Sequence, residues 1–213
     1  MVGDVVLDCD SAERLYRLRE VEVTVSTESQ RRVLGIVGSP RRNGNTEILV
    51  DEILRGASEA GAWVEKVILS RLDISPCRAC DACMETGQCV QRDDMSGLME
   101  QMQASQVWVL GTPVYWCGPS AQFKTFVDRW YGTQNGSVVD FRGRRVILAI
   151  PLEDPDPRGA RHTVGMLTDA LEWLKAEIFA TVLAPGVLNR GAVREHPGIL
   201  ETARRAGRGA IET

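Results

Sequence analysis

Short apolar runs alternate with amphipathic stretches along most of the chain, and this alternation limits the possible fold more than any other feature. The run at 32–38, "RVLGIVG", is rich in β-branched residues and ends in glycine, as a buried parallel strand does. The next stretch places apolar residues at helical spacing from Ile48 to Ala57 and stops at Gly61. Further strands are predicted at 63–69, 106–112, 144–152 and 177–185, and further helices at 93–105, 119–131, 161–176 and 196–212. Strands that alternate with helices predict a parallel sheet covered on both faces.

The number of strands then narrows the topology. Right-handed crossovers leave few arrangements of five parallel strands. The pattern matches an α/β three-layer sandwich of the flavodoxin-like kind, with a five-stranded parallel sheet of order 2-1-3-4-5 and a ligand outside the carboxyl ends of strands one and three. We expect residues 1–32 to form an N-terminal arm or extension, with a possible short strand at 21–25, and residues 33–213 to form the flavodoxin-like domain.

Composition and charge exclude several classes of protein. A chain of 213 residues with 44% hydrophobic residues predicts one ordinary globular domain. A formal net charge of −4 gives no reason to expect nucleic acid or an anionic membrane as partner. The N-terminus carries acidic residues where a signal peptide carries basic ones, so we expect a cytoplasmic protein. In that reducing compartment, clustered cysteines more often bind metal or do redox chemistry than form disulfides.

The loop after the first strand, "GSPRRNGNTEIL", has the chemistry of an anion site. A helix N-terminus presents unpaired N–H groups and the positive end of the helix dipole. Ser39, Asn45 and Thr46 supply side-chain donors, and Arg41 supplies a charged fork. No lysine precedes the threonine, which argues against a nucleoside triphosphatase loop. A polar turn with a good helix cap is the alternative interpretation.

Four cysteines, Cys77, Cys80, Cys83 and Cys89, share one predicted loop at 75–93 with the spacing C-x2-C-x2-C-x5-C. A structural zinc site more often pairs two ligand knuckles separated by a dozen or more residues. A thioredoxin-like dithiol needs a single C-x-x-C and leaves two cysteines unexplained. Compact runs of this kind are typical of cubane iron–sulfur ligation, with Cys89 as the natural fourth ligand of one 4Fe–4S cluster. Packing thiols without a metal remain a further alternative.

Several motifs occur in order along residues 32–213: "GSPRRNGNT", "ISPCRACDACMETGQCVQRDDM", "GTPVYWCGPSAQFKTFVDRW" and "GVLNRGAVREHPGILETARRAGRGAIE". Together they resemble the NADPH-dependent FMN reductase and iron–sulfur flavoprotein family of the flavodoxin-like superfamily. The resemblance implies that the FMN phosphate is held by Ser39, Arg41, Asn45 and Thr46 in a loop shaped by Asn43 and Gly44. It implies that the flavin ring lies along Pro113, Val114, Tyr115, Trp116 and Gly118. It also implies a 4Fe–4S cluster on Cys77, Cys80, Cys83 and Cys89.

The function implied by the resemblance is an FMN-dependent oxidoreductase whose 4Fe–4S cluster couples one-electron to two-electron transfer and reduces a small acceptor. Ferredoxin or NAD(P)H would be the electron donor, and the protein would be a homodimer or homotetramer. The flavin does the chemistry, so no catalytic side chain is identified, and Tyr115 and Trp116 are candidate pocket residues. The alternatives are an NAD(P)H-dependent FMN or quinone reductase without a functional cluster, and a flavodoxin-like electron carrier.

One loop departs from the family pattern. The segment "PLEDPDPRGARH" after the fourth strand carries Glu153, Asp154 and Asp156, where related proteins have a less acidic, glycine-rich segment. Carboxylates near the cofactor would disfavour an anionic reduced flavin and repel the phosphate of NADPH. Cys117, beside the two aromatic residues, is expected to be a small pocket residue.

Overall fold

A five-stranded parallel sheet forms the centre of the structure, a computed structural model that describes residues 30–133 and 139–212. The strands are β1 (Arg32–Val37), β2 (Trp63–Ile68), β3 (Val107–Gly111), β4 (Arg145–Pro151) and β5 (Glu177–Ala184). They pair in the order β2-β1-β3-β4-β5, and every pairing is parallel. The predicted flavodoxin-like topology is therefore confirmed.

Helices cover both faces of this sheet. In the described ranges they are α1 (Asn45–Glu59), α2 (Ala82–Thr86), α3 (Met95–Gln103), α4 (Ala121–Asp128), α5 (Arg161–Trp173) and α6 (Pro197–Glu212). The apolar residues of α1 and α6 pack with one face of the sheet, and those of α3, α4 and α5 pack with the other. The predicted helix at 119–131 ends earlier than expected, at Asp128. A 3₁₀ turn at Arg129–Thr133 follows it directly. The sequence did not indicate α2, which lies inside the cysteine loop.

Side chains of the central strands point alternately into the two cores. In β1, Leu34 and Ile36 join the cluster under α3, α4 and α5, whereas Val33 and Val37 join the cluster under α1 and α6. All five residues of β3 are buried. Because both faces are covered, the central strands read in the sequence as continuous apolar runs.

Helices α1 and α6 meet backbone to backbone. A Cβ added at Gly56 would lie 1.9 Å from the carbonyl oxygen of Arg204, and one added at Gly207 would lie 1.9 Å from the carbonyl oxygen of Ile53. An ion pair between Arg204 and Glu52, with 2.7 Å between Nη2 and Oε2, flanks the crossing. Only glycine lets the two helices approach this closely.

Among the residues that the structure describes, no helix is both long and apolar enough to cross a membrane. The possible strand at 21–25 and nearly all of the predicted arm at 1–32 lie outside the described residues. The division of the chain into an arm and a domain therefore stays a prediction.

We expect Gly207→Ala to destabilise the protein by about 1–3 kcal/mol, the usual cost of overpacking a tight contact. The added methyl group meets backbone, which cannot move aside as a side chain can. Gly198→Ala is the matched control. Gly198 lies in the same helix as Gly207, but a Cβ added there would have no neighbouring atom within 4 Å. Urea unfolding followed by circular dichroism measures both variants, and equal stability of the two would contradict the prediction.

Candidate functional site

A cavity of about 580 Å³ opens at the carboxyl edge of the sheet, within the size range of small-ligand sites. Residues from the loops after β1, β3, β4 and β5 form its wall. Eight of the residues predicted to bind the cofactor line it: Ser39, Arg41, Asn45, Thr46, Pro113, Val114, Tyr115 and Trp116. The other three, Asn43, Gly44 and Gly118, belong to the turns that shape two of these loops.

The first wall is the turn between β1 and α1. The N–H of Gly44 donates to the carbonyl of Arg41 at 3.1 Å, and Asn43 has a left-handed backbone with φ of 52°. The N–H of Asn43 donates to Oε2 of Glu47 at 2.7 Å, and the buried Oγ of Ser39 accepts from the N–H of Arg41 at 3.3 Å. The turn thereby brings the N-terminus of α1 and Arg41 to the same cavity, an arrangement that suits a phosphate group.

The carboxylate beneath this turn is neutralised by Lys66. Its Nζ lies 3.0 Å from Oε1 of Glu47 and 2.7 Å from Oδ1 of Asp51. Burial raises the pKa of the Glu47 carboxyl, but hydrogen bonds from Lys66 and from the Asn43 backbone, with the Lys66 charge, outweigh burial and lower the pKa. Because Glu47 is paired, its charge repels a bound anion less than a free carboxylate would.

The side chain of Asn45 has a different role from the predicted one. Its Nδ2 donates to the carbonyls of Val187 at 3.0 Å and Asn189 at 2.9 Å, and its Oδ1 accepts from the N–H of Val193 at 3.2 Å. Both amide hydrogens are used inside the protein, so the Asn45 side chain holds the loop after β5 and offers no spare hydrogen to a phosphate. No sequence signal indicated this contact.

The second wall ends in a tight turn. Tyr115 and Gly118 exchange backbone hydrogen bonds of 2.8 and 3.0 Å, and the two residues between them are left-handed, with φ of 49° at Trp116 and 65° at Cys117. This is the pattern of a type I′ turn, whose central positions usually hold asparagine and glycine. Trp116 is fully exposed at 103%, and Cys117 is exposed and does not line the cavity. Unfavourable backbone geometry at a cavity mouth indicates a functional constraint.

A buried hydroxyl group joins the two loops. Oγ of Ser120 donates to the carbonyl of Gly38 at 2.5 Å and accepts from the N–H of Phe123 at 3.3 Å, so it also caps α4. The N–H of Ser120 donates to Oγ1 of Thr112 at 3.1 Å, and the N–H of Gly38 donates to the carbonyl of Gly111 at 2.7 Å. These bonds hold the first and second walls of the cavity to each other.

The remaining wall comes from the ends of β4 and β5. Sequence reasoning singled out Glu153 there but missed Pro151, Leu152, Val187 and Leu188. Their position at or soon after the carboxyl ends of two strands was the available signal. Of the three acidic residues after β4, Glu153 alone lines the cavity. Asp156 pairs with Arg158 at 2.6 Å, and Oδ1 of Asp154 accepts from the N–H of Asp156 at 2.9 Å.

The four loop cysteines, in the loop that follows β2, are free thiols. Burial raises the pKa of the Cys83 thiol, a backbone hydrogen bond opposes this, and the charges of Cys89, Cys77 and Cys80 raise it further. Within residues 30–133 and 139–212, no group of three or more His, Cys, Asp or Glu side chains is arranged to hold a metal ion. Four thiols in one loop suit an iron–sulfur cluster by donor chemistry, although their side chains are not arranged as a metal site in the described part of the chain.

A buried ion pair closes the cysteine loop. Nη1 and Nη2 of Arg129 donate to the two carboxylate oxygens of Asp93 at 2.5 and 3.1 Å, and the side chains are only 3% and 7% exposed. Nη1 also donates to the carbonyl of Ser75 at 2.9 Å, and the N–H of Ser75 donates to Oδ2 of Asp93 at 3.1 Å. Nη2 reaches Sγ of Cys89 at 3.5 Å. We call Arg129, Asp93 and Ser75 the loop clamp; sequence reasoning missed it.

The 3₁₀ turn after α4 supports the same loop at two more points. The hydroxyl of Tyr131 donates to Oδ1 of Asp81 at 2.9 Å, which raises the pKa of Tyr131. A Cβ added at Gly132 would lie 3.4 Å from Sγ of Cys83. The segment at Arg129–Thr133 therefore runs along the cysteine loop.

A family model described as NADPH-dependent FMN reductase matches residues 31–186. The chain belongs to the NADPH-dependent FMN reductase family. The resemblance recognised from its motifs is thereby confirmed. The matched range includes the four cysteines and the cavity loops after β1, β3 and β4, and it ends just before Val187 and Leu188.

Named relatives resemble the chain in sequence, and a solved structure shares its fold. An iron–sulfur flavoprotein of Archaeoglobus fulgidus is 38% identical over 121 residues, which are 53% of this chain and 55% of that protein. An iron–sulfur flavoprotein of Methanocaldococcus jannaschii is 41% identical over 98 residues, 46% of this chain and 51% of that protein. The chain thus spans about half the length of these curated relatives. An NAD(P)H:quinone oxidoreductase from Methanothermobacter marburgensis has the same fold, with a TM-score of 0.67 and 18% identity over 85% of this chain and 96% of that one.

The loop clamp predicts a pH dependence of stability. Burial raises the pKa of the Asp93 carboxyl, but the hydrogen bonds from Arg129 and Ser75 and the Arg129 charge outweigh burial and lower the pKa. A lowered pKa adds stability above the unfolded value of about 3.9, and this stability is lost as the pH falls through the folded pKa. Asp93→Asn should therefore cost about 3–5 kcal/mol near pH 7, because it leaves a buried guanidinium unpaired, and the difference from wild type should shrink below about pH 4.

Urea unfolding of both proteins between pH 7 and pH 3 measures this difference. Asp140→Asn is the matched control, because Asp140 pairs with Arg142 at an exposed position and should contribute little. A wild-type advantage over Asp93→Asn that stays constant across the range would contradict the prediction.

Proposed function

We propose that this chain is an FMN-dependent oxidoreductase that holds FMN in the cavity at the carboxyl edge of the sheet and carries a 4Fe–4S cluster on its cysteine loop. The observation that carries the proposal is the convergence of eight predicted cofactor residues, from two loops far apart in the sequence, on one cavity. Family membership supports flavin as the cofactor. As a cofactor, FMN supplies electron transfer in steps of one or two electrons.

The residues of the cavity suit the two ends of FMN. The N-terminus of α1, Arg41 and the hydroxyl of Ser39 would bind the phosphate, and Asn45 would contribute its backbone rather than its side chain. The loop from Pro113 to Gly118 would flank the flavin ring, with backbone groups for its polar edge and Tyr115 beside its face. Apolar residues after β4 and β5 would exclude water from the ring. Glu153 would place a negative charge in the same cavity.

The cluster part of the proposal rests on donor chemistry and on relatives. Iron–sulfur clusters need thiolates, and Cys77, Cys80, Cys83 and Cys89 are free thiols of one loop. Two relatives with 38% and 41% identity are named iron–sulfur flavoproteins. The cluster would exchange single electrons with a donor such as ferredoxin, while the chain's residues fix its place relative to the flavin cavity.

The second candidate function is an NAD(P)H-dependent FMN or quinone reductase without a functional cluster. The description of the matching family favours it, as does the lack of a preformed metal site in the described part of the chain. NAD(P)H would then be the donor, a small molecule the acceptor, and the cysteines incidental. A homodimer or homotetramer and a cytoplasmic location remain predictions under either candidate.

FMN binding is tested by Arg41→Ala. Loss of a charge-assisted hydrogen bond costs about 1.5–3 kcal/mol, so the affinity for FMN should fall about 10- to 100-fold. Arg42→Ala is the matched control, because the neighbouring arginine does not line the cavity. Quenching of FMN fluorescence during titration of the flavin-free protein measures both. A wild-type protein that does not bind FMN would refute the proposed function, and equal loss in the two variants would refute the assignment of Arg41.

Cluster binding is tested by anaerobic iron and sulfide analysis. We expect about four irons per chain in the wild type, and loss of the intact cluster when Cys77, Cys80, Cys83 or Cys89 is changed to serine. Cys117→Ser is the control, since this exposed thiol lies outside the cysteine loop and should leave the iron content unchanged. Flavin without iron in anaerobically purified wild-type protein would select the second candidate.

A further inference from the structure

Both Nη nitrogens of Arg129 use all their hydrogens in hydrogen bonds. The four Nη hydrogens go to four acceptors: the two carboxylate oxygens of Asp93, the carbonyl of Ser75 and Sγ of Cys89. Three of these acceptors join the first and last parts of the cysteine loop, and the fourth is a cysteine inside it. A planar guanidinium fits this arrangement, whereas the ammonium group of lysine has three donors and no fork.

Cys89 needs such an anchor more than the other three cysteines do. Cys77, Cys80 and Cys83 follow one another at intervals of three residues, but Cys89 comes six residues after Cys83. The short helix α2 ends at Thr86, and Gly87 reverses the chain with φ of 73° before Cys89. Local spacing therefore does not fix Cys89, and Nη2 of Arg129, from a different part of the fold, is the group that contacts its sulfur at 3.5 Å.

Burial fixes the arginine side of this contact, whereas Cys89 itself is exposed. A buried ion pair loses its hydration, and it is stable when its remaining donors are also satisfied. The Arg129 side chain is 3% exposed, so its orientation is set by its hydrogen bonds to Asp93 and Ser75 rather than by solvent. The donor that reaches Cys89 is thus held in place before any metal binds.

We propose that Arg129 is a positioning residue that fixes Cys89 as the fourth thiolate of the cysteine set. This inference rests on the proposed function, in which those thiolates hold a metal cluster. Arg129 touches the ligand rather than the metal, as outer-shell partners of metal ligands do. Without its fork, the first three cysteines keep their spacing and Cys89 is released.

Cobalt(II) is the probe, because its charge-transfer absorption with thiolates reports how many sulfurs bind it, without iron or flavin. Metal-free, reduced full-length protein is titrated anaerobically with Co²⁺. We expect a four-thiolate spectrum for the wild type and a three-thiolate spectrum for Arg129→Lys, with affinity about 10- to 100-fold weaker. Cys89→Ser is the matched control and should give the same three-thiolate spectrum.

The double variant Arg129→Lys/Cys89→Ser separates positioning from general support of the fold. If Arg129 acts through Cys89, the lysine has no further effect on Co²⁺ affinity once Cys89 is absent. A lysine effect of equal size in both backgrounds would overturn the proposal, as would a wild-type spectrum for Arg129→Lys. If Arg129→Lys does not fold by circular dichroism, Asp93→Glu, which keeps both charges but displaces the fork, replaces it in the same cycle with the same expectations.

Iron analysis distinguishes failure of the proposed cluster from failure of the positioning role of Arg129. Wild-type protein that binds neither a cluster nor Co²⁺ through four thiolates would overturn the proposed cluster and this inference together. Wild-type protein that assembles the cluster, with Arg129→Lys assembling it equally well, would overturn the positioning role alone.

Discussion

The buried hydroxyl of Ser120 holds together the two loops on which the candidate flavin site depends. The hydroxyl donates to the carbonyl of Gly38, just after β1, and caps α4 by accepting from the N–H of Phe123. The backbone N–H of Ser120 donates to the hydroxyl of Thr112. A buried polar group that lost its partner would cost about 1–3 kcal/mol, so these bonds strongly favour one relative position of the loops. The fold itself therefore holds the two loops in the relative position that forms the cavity.

Helix α4 connects this hydroxyl contact to the loop clamp. Ser120 lies at its start and Arg129 directly after its last residue, Asp128. At one end a neutral hydrogen-bonded group joins two loops of the cavity, and at the other a buried ion pair joins two ends of the cysteine loop. The body of the helix packs in the core through Phe123 and Phe126, which are fully buried. Both candidate sites are thus anchored on one rigid element, as precise sites generally are.

Much of this architecture could be predicted from the sequence, because hydrophobic periodicity and strand count depend on local pattern. Helix and strand positions, the sheet order and the edge that carries the cavity follow from that pattern. The site details could not be predicted, because they join residues distant in the chain: Asn45 to the loop near Val187, and Arg129 to Cys89. The left-handed turn at Trp116 was also missed, since bulky residues there contradict the usual turn preferences.

The number of residues in α4 constrains the relative position of the two candidate sites, and a substitution does not change that number. Its eight residues span about 12 Å, so the helix acts as a fixed spacer between the candidate flavin cavity and the cysteine loop. Insertion or deletion of one residue would turn its end by about 100° and swing the guanidinium of Arg129 away from Asp93. We therefore expect proteins descended from the same ancestor, and having both sites, to vary the sequence of this helix while keeping its number of residues.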